Sequence, residues 1–297
     1  MRAVTVALAA ALPYSVRMTT IALLGTGLLG SGMVENLLAK GHTVRVWNRS
    51  ADKLAPLVKK GAIAAKDPAD AVRGCSHVHL VLAEDAAVDA VIAALRPGLG
   101  AKVPVIDHST NLPAKVAARF AALHQQGVRY VSAPVFMSPT NAREGSGMMV
   151  MSGPQQDHSE LQAHLSAMTG KLWYAGDRID LAAVFKLAGN SMYFALTGAI
   201  SDVLQIGRGN DVTPETMVSL FDEWKIGGAI PFIAQRLLKA GEGPASFELS
   251  MARKDARLMQ EAAGKMALMV LPGVASAMDR AITAGHGKAD FAAFVKG

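Results

Sequence analysis

Residues 20–50 read TIALLGTGLLGSGMVENLLAKGHTVRVWNRS, and their spacing decides the fold of the first half of the chain. The apolar run Ile21-Ala22-Leu23-Leu24 has the length and flanks of a buried strand. It leads into Gly25, Gly27 and Gly30, spaced G-x-G-x-x-G, and then into a helical pattern that stops near Gly41. Thr43 to Trp47 predicts the next strand. In a strand–turn–helix–strand unit each of these glycines has its own duty. Gly25 makes the tight turn, Gly27 lets the backbone approach a pyrophosphate, and Gly30 lets the helix lie close on the strand. The helix begins at the same place, and its unpaired N–H groups and positive dipole end favour an anion there. The stretch predicts a dinucleotide site.

The tip of the second strand bears on which dinucleotide. An acidic side chain usually accepts hydrogen bonds from the ribose hydroxyls of NAD at this position. Here the chain has Asn48-Arg49-Ser50, with no acid before Asp52. A guanidinium fits a 2′-phosphate by charge and by its forked donors, so Arg49 points to NADP. The plainer alternative is a solvated arginine at a strand end.

Composition bounds the rest. A chain of 297 residues, 51% hydrophobic and 18% charged, is an ordinary globular sequence with room for two domains. The one cysteine, Cys75, excludes an internal disulfide and suits a reducing cytoplasm. No His-x-x-x-His or Asp-x-Asp pattern suggests a metal, so none is expected. The net charge is +6, but Lys and Arg are scattered and aromatics are 5%, which argues against a nucleic-acid partner. A basic site for two anions, a dinucleotide and an acidic substrate, is the simpler account. No run approaches the ~20 apolar residues of a membrane span. Residues 1–17 carry one early Arg and a short apolar stretch, a faint signal-peptide pattern; they are expected to be an extension ahead of a natural start near Met18.

Beyond residue 50 strand and helix patterns keep alternating. Helices are expected over 51–60, 68–73, 85–95 and 113–126, and strands over 61–64, 77–82, 103–107, 128–132, 148–151 and 172–174. That order predicts an α/β fold with a doubly wound, Rossmann-type parallel sheet. From Leu181 the pattern changes to period 3.6, with one long helix to about Gly207 and further helices over 214–221, 231–240, 251–263 and 266–284. The expected division is a nucleotide-binding domain over 18–179 and an all-helical domain over 180–297.

The long helix carries Lys186 and Asn190, four residues apart and therefore on one face. A lysine on such an apolar face either snorkels to solvent or is deliberately buried. Spacing alone leaves both open.

Several separate motifs, in order, settle the wider likeness. They are the fingerprint from Gly25 to Gly32 with Asn36-Leu37 and Gly41-His42, then Val81-Leu82-Ala83, then Asp107-His108-Ser109-Thr110 with Pro113. Ala133-Pro134-Val135, Lys186 with Asn190, Lys254-Asp255, and Pro272 with Gly285-His286-Gly287 and Asp290 follow. In this ordered set the chain resembles the β-hydroxyacid dehydrogenases, of the 6-phosphogluconate dehydrogenase superfamily, from about Thr20 to Phe294. The resemblance implies hydride transfer between NADP(H) and a small carbonyl or hydroxyacid compound, with Lys186 moving the proton and Asn190 hydrogen-bonding substrate or orienting the lysine. It implies cofactor contacts at Gly25, Gly27, Leu28, Leu29, Gly30, Asn48, Arg49, Ser50, Leu82, Ala83, Thr110 and Lys254. It places Ser109 near the nicotinamide or substrate, gives His108 no acid–base role, and implies a homodimer or higher homo-oligomer built on the helical domain.

One motif departs from the family. After Ala133-Pro134-Val135 the pattern expects serine and two glycines, which offer backbone N–H groups to a substrate carboxylate; this chain has Phe136-Met137-Ser138. These remain the expected substrate-binding positions, with larger and more apolar walls. The alternative is that Phe136 and Met137 pack inward. An imine reductase of related fold, or a dinucleotide-binding protein with little turnover, are the competing functions.

Overall fold

The computed structural model describes residues 18–296; the extension expected over 1–17 lies outside the described residues. The elements run in order β1 Thr20–Leu24, α1 Leu28–Ala39, β2 Thr43–Trp47, α2 Ala55–Val58, β3 Ile63–Ala64, α3 Pro68–Val72, β4 His77–Leu80, α4 Asp85–Leu95, β5 Val105–Asp107, α5 Pro113–Gln125 and β6 Tyr130–Ser132. β7 Val135–Phe136, α6 Pro139–Glu144, β8 Met148–Met151, α7 Gln155–Ser166, β9 Lys171–Tyr174 and the long α8 Leu181–Arg208 follow. The chain closes with α9 Pro214–Glu223, α10 Ile230–Leu238, α11 Leu249–Ala263 and α12 Leu271–Ala281.

The first six strands form one sheet in the order β3-β2-β1-β4-β5-β6, parallel at every pairing. Central β1 shows why its sequence is apolar without alternation: both faces are covered. Ile21 and Leu23 pack with Met33, Val34 and Leu37 of α1 in one core cluster. Ala22 and Leu24 face the other way, into a cluster with Val72, Val88, Ile92 and Leu95. The fold is thus the Rossmann type expected from the sequence.

The parallel sheet ends at β6, earlier than the strand pattern suggested. β7, β8 and β9 make a separate three-stranded sheet, with β7 antiparallel to β8 and β8 parallel to β9. β7 has two residues and α6 has six, too short for periodicity to reveal. α7 is strongly polar and was also not legible as a helix. The expected helix over 51–60 is a short 3₁₀ turn followed by the single turn of α2.

The described residues divide into two compact units, with the division between Gly189 and Asn190. The division falls inside α8 because its start is tied to the first unit. Ala182 and Ala183 are buried there, and the Ala182 N–H donates to Ser152 Oγ. The second unit is helical throughout. Its core is small, built on Leu249, Ala252, Ala256, Ala275, Met278 and Ala281. Asp202 of α8 takes N–H groups from Met269, Val270 and Leu271, satisfying the orphan donors at the start of α12. No helix among the described residues is long and apolar enough to cross a membrane.

Candidate cofactor cleft and active site

The glycine turn between β1 and α1 opens on a cleft of about 700 Å³. Gly25, Gly27, Leu28, Leu29, Asn48, Arg49 and Ser50 line it, with Leu82 and Ala83 from the end of β4. The three fingerprint glycines meet three different constraints. Gly25 has φ +102°, and a Cβ there would lie 2.1 Å from Val81 O. A Cβ on Gly30 would lie 2.0 Å from Gly25 O, so the turn and helix close on each other. Gly27 has ordinary angles, φ −68° and ψ −171°, and a Cβ on it would meet nothing within 4 Å. The protein's own packing therefore does not demand glycine at 27. The open space beside it fits a group that must approach the backbone.

That space sits at the start of α1, which has no side-chain cap and no acidic residue in its first turn. Its first N–H groups are left for an anion. Asn48, on the cleft, also braces the turn. Its Oδ1 accepts from Thr26 N–H at 3.1 Å and its Nδ2 donates to Ser50 O at 3.0 Å, so it pins the glycine turn to the tip of β2. Arg49 is exposed on the cleft and makes no ion pair among the described residues. Sequence reasoning missed Lys53, a second cation on the cleft, and the face of α4 formed by Ala87, Ala90, Val91 and Ala94. The spacing of that small-residue stripe on a single helical face was the available signal.

Thr110 is exposed just past β5. Lys254 belongs to the second unit, where it pairs with Asp255 at 2.8 Å. Ser109 is buried, and its Oγ accepts from Leu82 N–H at 2.9 Å, tying the exits of β4 and β5 together. Neighbouring Asp107 is fully buried and takes N–H or O–H donors from Ser109, Asn111 and Tyr130.

Lys186 is half-buried on α8, which excludes the snorkelling alternative. Its Nζ donates to Val135 O at 2.7 Å and lies 4.5 Å from the centre of the Phe136 ring. Burial lowers the ammonium's pKa. Phe136 is wedged against α8 at Gly189, where an added Cβ would come within 2.5 Å of the ring. Asn190 follows one turn after Lys186. Met137 packs inward against Gly147. Ser138 caps α6: its Oγ accepts from Asn141 N–H at 3.1 Å, and Asn141 Oδ1 accepts from Ser138 N–H at 2.9 Å. The hydroxyl expected to meet substrate thus also caps a helix start. Among the described residues no group of side chains could hold a metal ion.

A glycine-turn cleft on a six-stranded parallel sheet is a dinucleotide-binding architecture. Residues 20–176 match the NAD binding domain of 6-phosphogluconate dehydrogenase, and the chain belongs to that family, within the β-hydroxyacid dehydrogenases. The 3-sulfolactaldehyde reductase of Escherichia coli (strain K12) is 26% identical over 285 residues, covering 94% of this chain and 95% of that protein. The cytokine-like nuclear factor N-PAC of Xenopus tropicalis is 27% identical over 80% of this chain, but this chain spans 45% of its length. Among solved structures, an imine reductase from Myxococcus stipitatus in complex with NADP+ superposes with a TM-score of 0.82 at 22% identity, covering 93% of this chain and 99% of that one. A reductive aminase from Aspergillus terreus in complex with NADPH4, cyclohexanone and allyl amine gives 0.81 at 21%, over 94% of this chain and 99% of that one. At these identities the likeness is one of fold.

Proposed function

We propose that the protein is an NADPH-dependent reductase of an aldehyde or keto acid, interconverting it with the matching hydroxy compound, with Lys186 as general acid and base. The observation that carries this reading is the half-buried Lys186 ammonium, held on Val135 O and lowered in pKa by burial. Bound at the cleft, the cofactor supplies the hydride. Arg49 and Lys53 supply positive charge suited to a 2′-phosphate, and the start of α1 supplies N–H groups for the pyrophosphate. Reduction of a carbonyl leaves an alkoxide, and Lys186 Nζ gives it a proton; in the oxidative direction the neutral amine takes that proton back. Asn190 is assigned to hydrogen-bond the substrate or to orient the lysine.

Phe136, beside the Lys186 ammonium, is a larger and more apolar wall than the serine of the family pattern, which favours a bulkier or more apolar carbonyl compound than the small hydroxyacids. Imine reduction is the second reading. The face of Phe136 already holds one cation, the Lys186 ammonium, and a protonated imine is another. We further propose a homodimer built through the helical unit, where Tyr193, Phe194, Trp224, Phe232, Leu238 and Met269 are all more than half exposed.

Lys186→Ala tests the proposal. It is expected to lose roughly 10²–10⁴-fold in kcat for carbonyl reduction while still binding NADPH. Near-native kcat removes Lys186 from the mechanism. Screening semialdehydes, glyoxylate, larger ketones and cyclic imines with NADPH separates the two substrate classes; absence of turnover with all of them favours a binding protein.

A further inference from the structure

The first unit carries a row of imidazoles through its core. His79 on β4 is fully buried; its Nδ1 lies 2.8 Å from His108 Nε2, and its Nε2 lies 2.9 Å from His164 Nε2 on α7. His108, just past β5, places its Nδ1 2.7 Å from Ala133 O. His77 stacks on His164 at 4.0 Å, and His42 meets the same ring edge-on at 6.2 Å.

The hydrogen bonds allow one arrangement of neutral rings. A carbonyl only accepts, so His108 Nδ1 carries a proton and donates to Ala133 O. His108 Nε2 is then bare and accepts from His79 Nδ1–H. His79 Nε2 is bare in turn and accepts from His164 Nε2–H. Burial keeps the rings neutral: it lowers His79 and His108, holds His164 down to about 2 and, with the neighbouring His42 and Arg129, His77 to about 4. The charged groups facing the row are Lys40 at the end of α1 and Arg129 before β6, which oppose added positive charge, and Asp107, which favours it on His108. Apolar side chains would fill this space without the cost of desolvating imidazoles, so the row invites a role beyond packing.

Its last acceptor points to that role. Ala133 stands two residues before Val135, whose carbonyl holds Lys186. The strand exit between them is pinned by an imidazole donor at one end and by the ammonium at the other. We propose that His108, fixed in one tautomer by His79 and His164, is a positioning residue: its bond to Ala133 sets the strand exit that places the Lys186 ammonium. This rests on the reading of Lys186 as proton donor.

The test has two arms. In the ¹⁵N spectrum of the histidine-labelled native protein near neutral pH, His79 and His108 should be protonated at Nδ1 alone and His164 at Nε2 alone. A proton on His79 Nε2, or an imidazolium at any of the three, overturns the arrangement; this arm needs no variant. In the second arm His108→Leu should lose about tenfold or more in kcat at saturating NADPH with little change in cofactor affinity. His108→Asn, whose amide nitrogen can occupy the place of Nδ1, should restore most of it. The titration of Lys186, read from the pH dependence of its acylation by mass spectrometry, should move up in His108→Leu and return in His108→Asn. An unmoved Lys186 titration in folded His108→Leu refutes the link. Failure of the functional reading alone looks different: Lys186→Ala keeps turnover while the titration still shifts.

Discussion

Gly27 and Gly30 stand three residues apart, yet alanine should do opposite things at the two. At Gly27 the backbone angles suit any residue and the new methyl meets nothing within 4 Å. Alanine there gains about 0.4–1 kcal/mol by restricting the unfolded chain. It gives up a comparable amount of N-cap preference. The net change stays within about 1 kcal/mol, or about 2–4 °C in Tm for a domain of this size. The methyl nevertheless occupies the approach to the α1 N–H groups. Losing one hydrogen bond from an N–H to a charged phosphate costs about 1.5–3 kcal/mol, which weakens NADPH binding by roughly ten- to a hundredfold. At Gly30 the methyl lands 2.0 Å from Gly25 O, far inside the 3.4 Å where ordinary contact begins. Both sides of that clash are backbone, so no rotamer relieves it, and overpacking of this kind costs about 1–3 kcal/mol or more. Thermal melts with and without NADPH, together with a fluorescence titration of the cofactor, separate the cases. Native-like NADPH affinity in Gly27→Ala, or an unchanged Tm in Gly30→Ala, refutes this assignment of the turn.

Arg49→Glu should reverse the preference for NADPH over NADH, read as the ratio of kcat/KM for the two; an unchanged ratio moves 2′-phosphate recognition away from Arg49. For carbonyl reduction, kcat should fall as pH rises through the lowered pKa of Lys186, because the protonated form is the donor, and the oxidative direction should rise through the same pH. Stability should drop on acidification from about pH 6.5. His77, His79, His108 and His164 are all lowered in the fold, so the unfolded chain takes up protons first, and the loss continues toward the His77 value of about 4. A Tm flat from pH 7 to pH 4.5 contradicts the buried neutral row. Light scattering at micromolar concentration should give a dimer mass; a monomer removes the proposed role of the exposed helical face.

What the sequence revealed, it revealed through repetition and spacing. β1 to α5 were readable because strands covered on both faces are continuous apolar runs and because Gly, Pro and Asp mark their ends. α8 was readable from its length. The fingerprint placed the cleft because the backbone itself makes that site. The rest depends on contacts between residues far apart in the chain. Nothing near Asn48 announces that its amide reaches back to Thr26, and nothing in Ser138 separates a substrate hydroxyl from a helix cap until Asn141 is seen beside it. Ser109 reads as a site residue by its neighbours, and nothing beside it announces the bond its hydroxyl accepts from Leu82 N–H. The histidines at 42, 77, 79, 108 and 164 carry no shared spacing; only the sheet and α7 gather them.

The seam between α1 and α6 bears on how this protein can change. Gly32 lets the two helices touch: a Cβ there would lie 2.7 Å from Pro139 O and 3.1 Å from the Ala142 methyl. Arg143 bonds Glu35 at 2.9 Å, and the Asn36 amide reaches Arg143 O at 3.0 Å. The helix that opens on the glycine-turn cleft is thereby clamped to the one that follows β7. Substitutions from Ser138 onward disturb a cap and then this seam, so their effects spread toward the nucleotide. Phe136 and Met137 lie just outside it. Changing those two leaves the cap and the seam intact but disturbs other packing, Phe136 against Gly189 and the Lys186 ammonium and Met137 against Gly147.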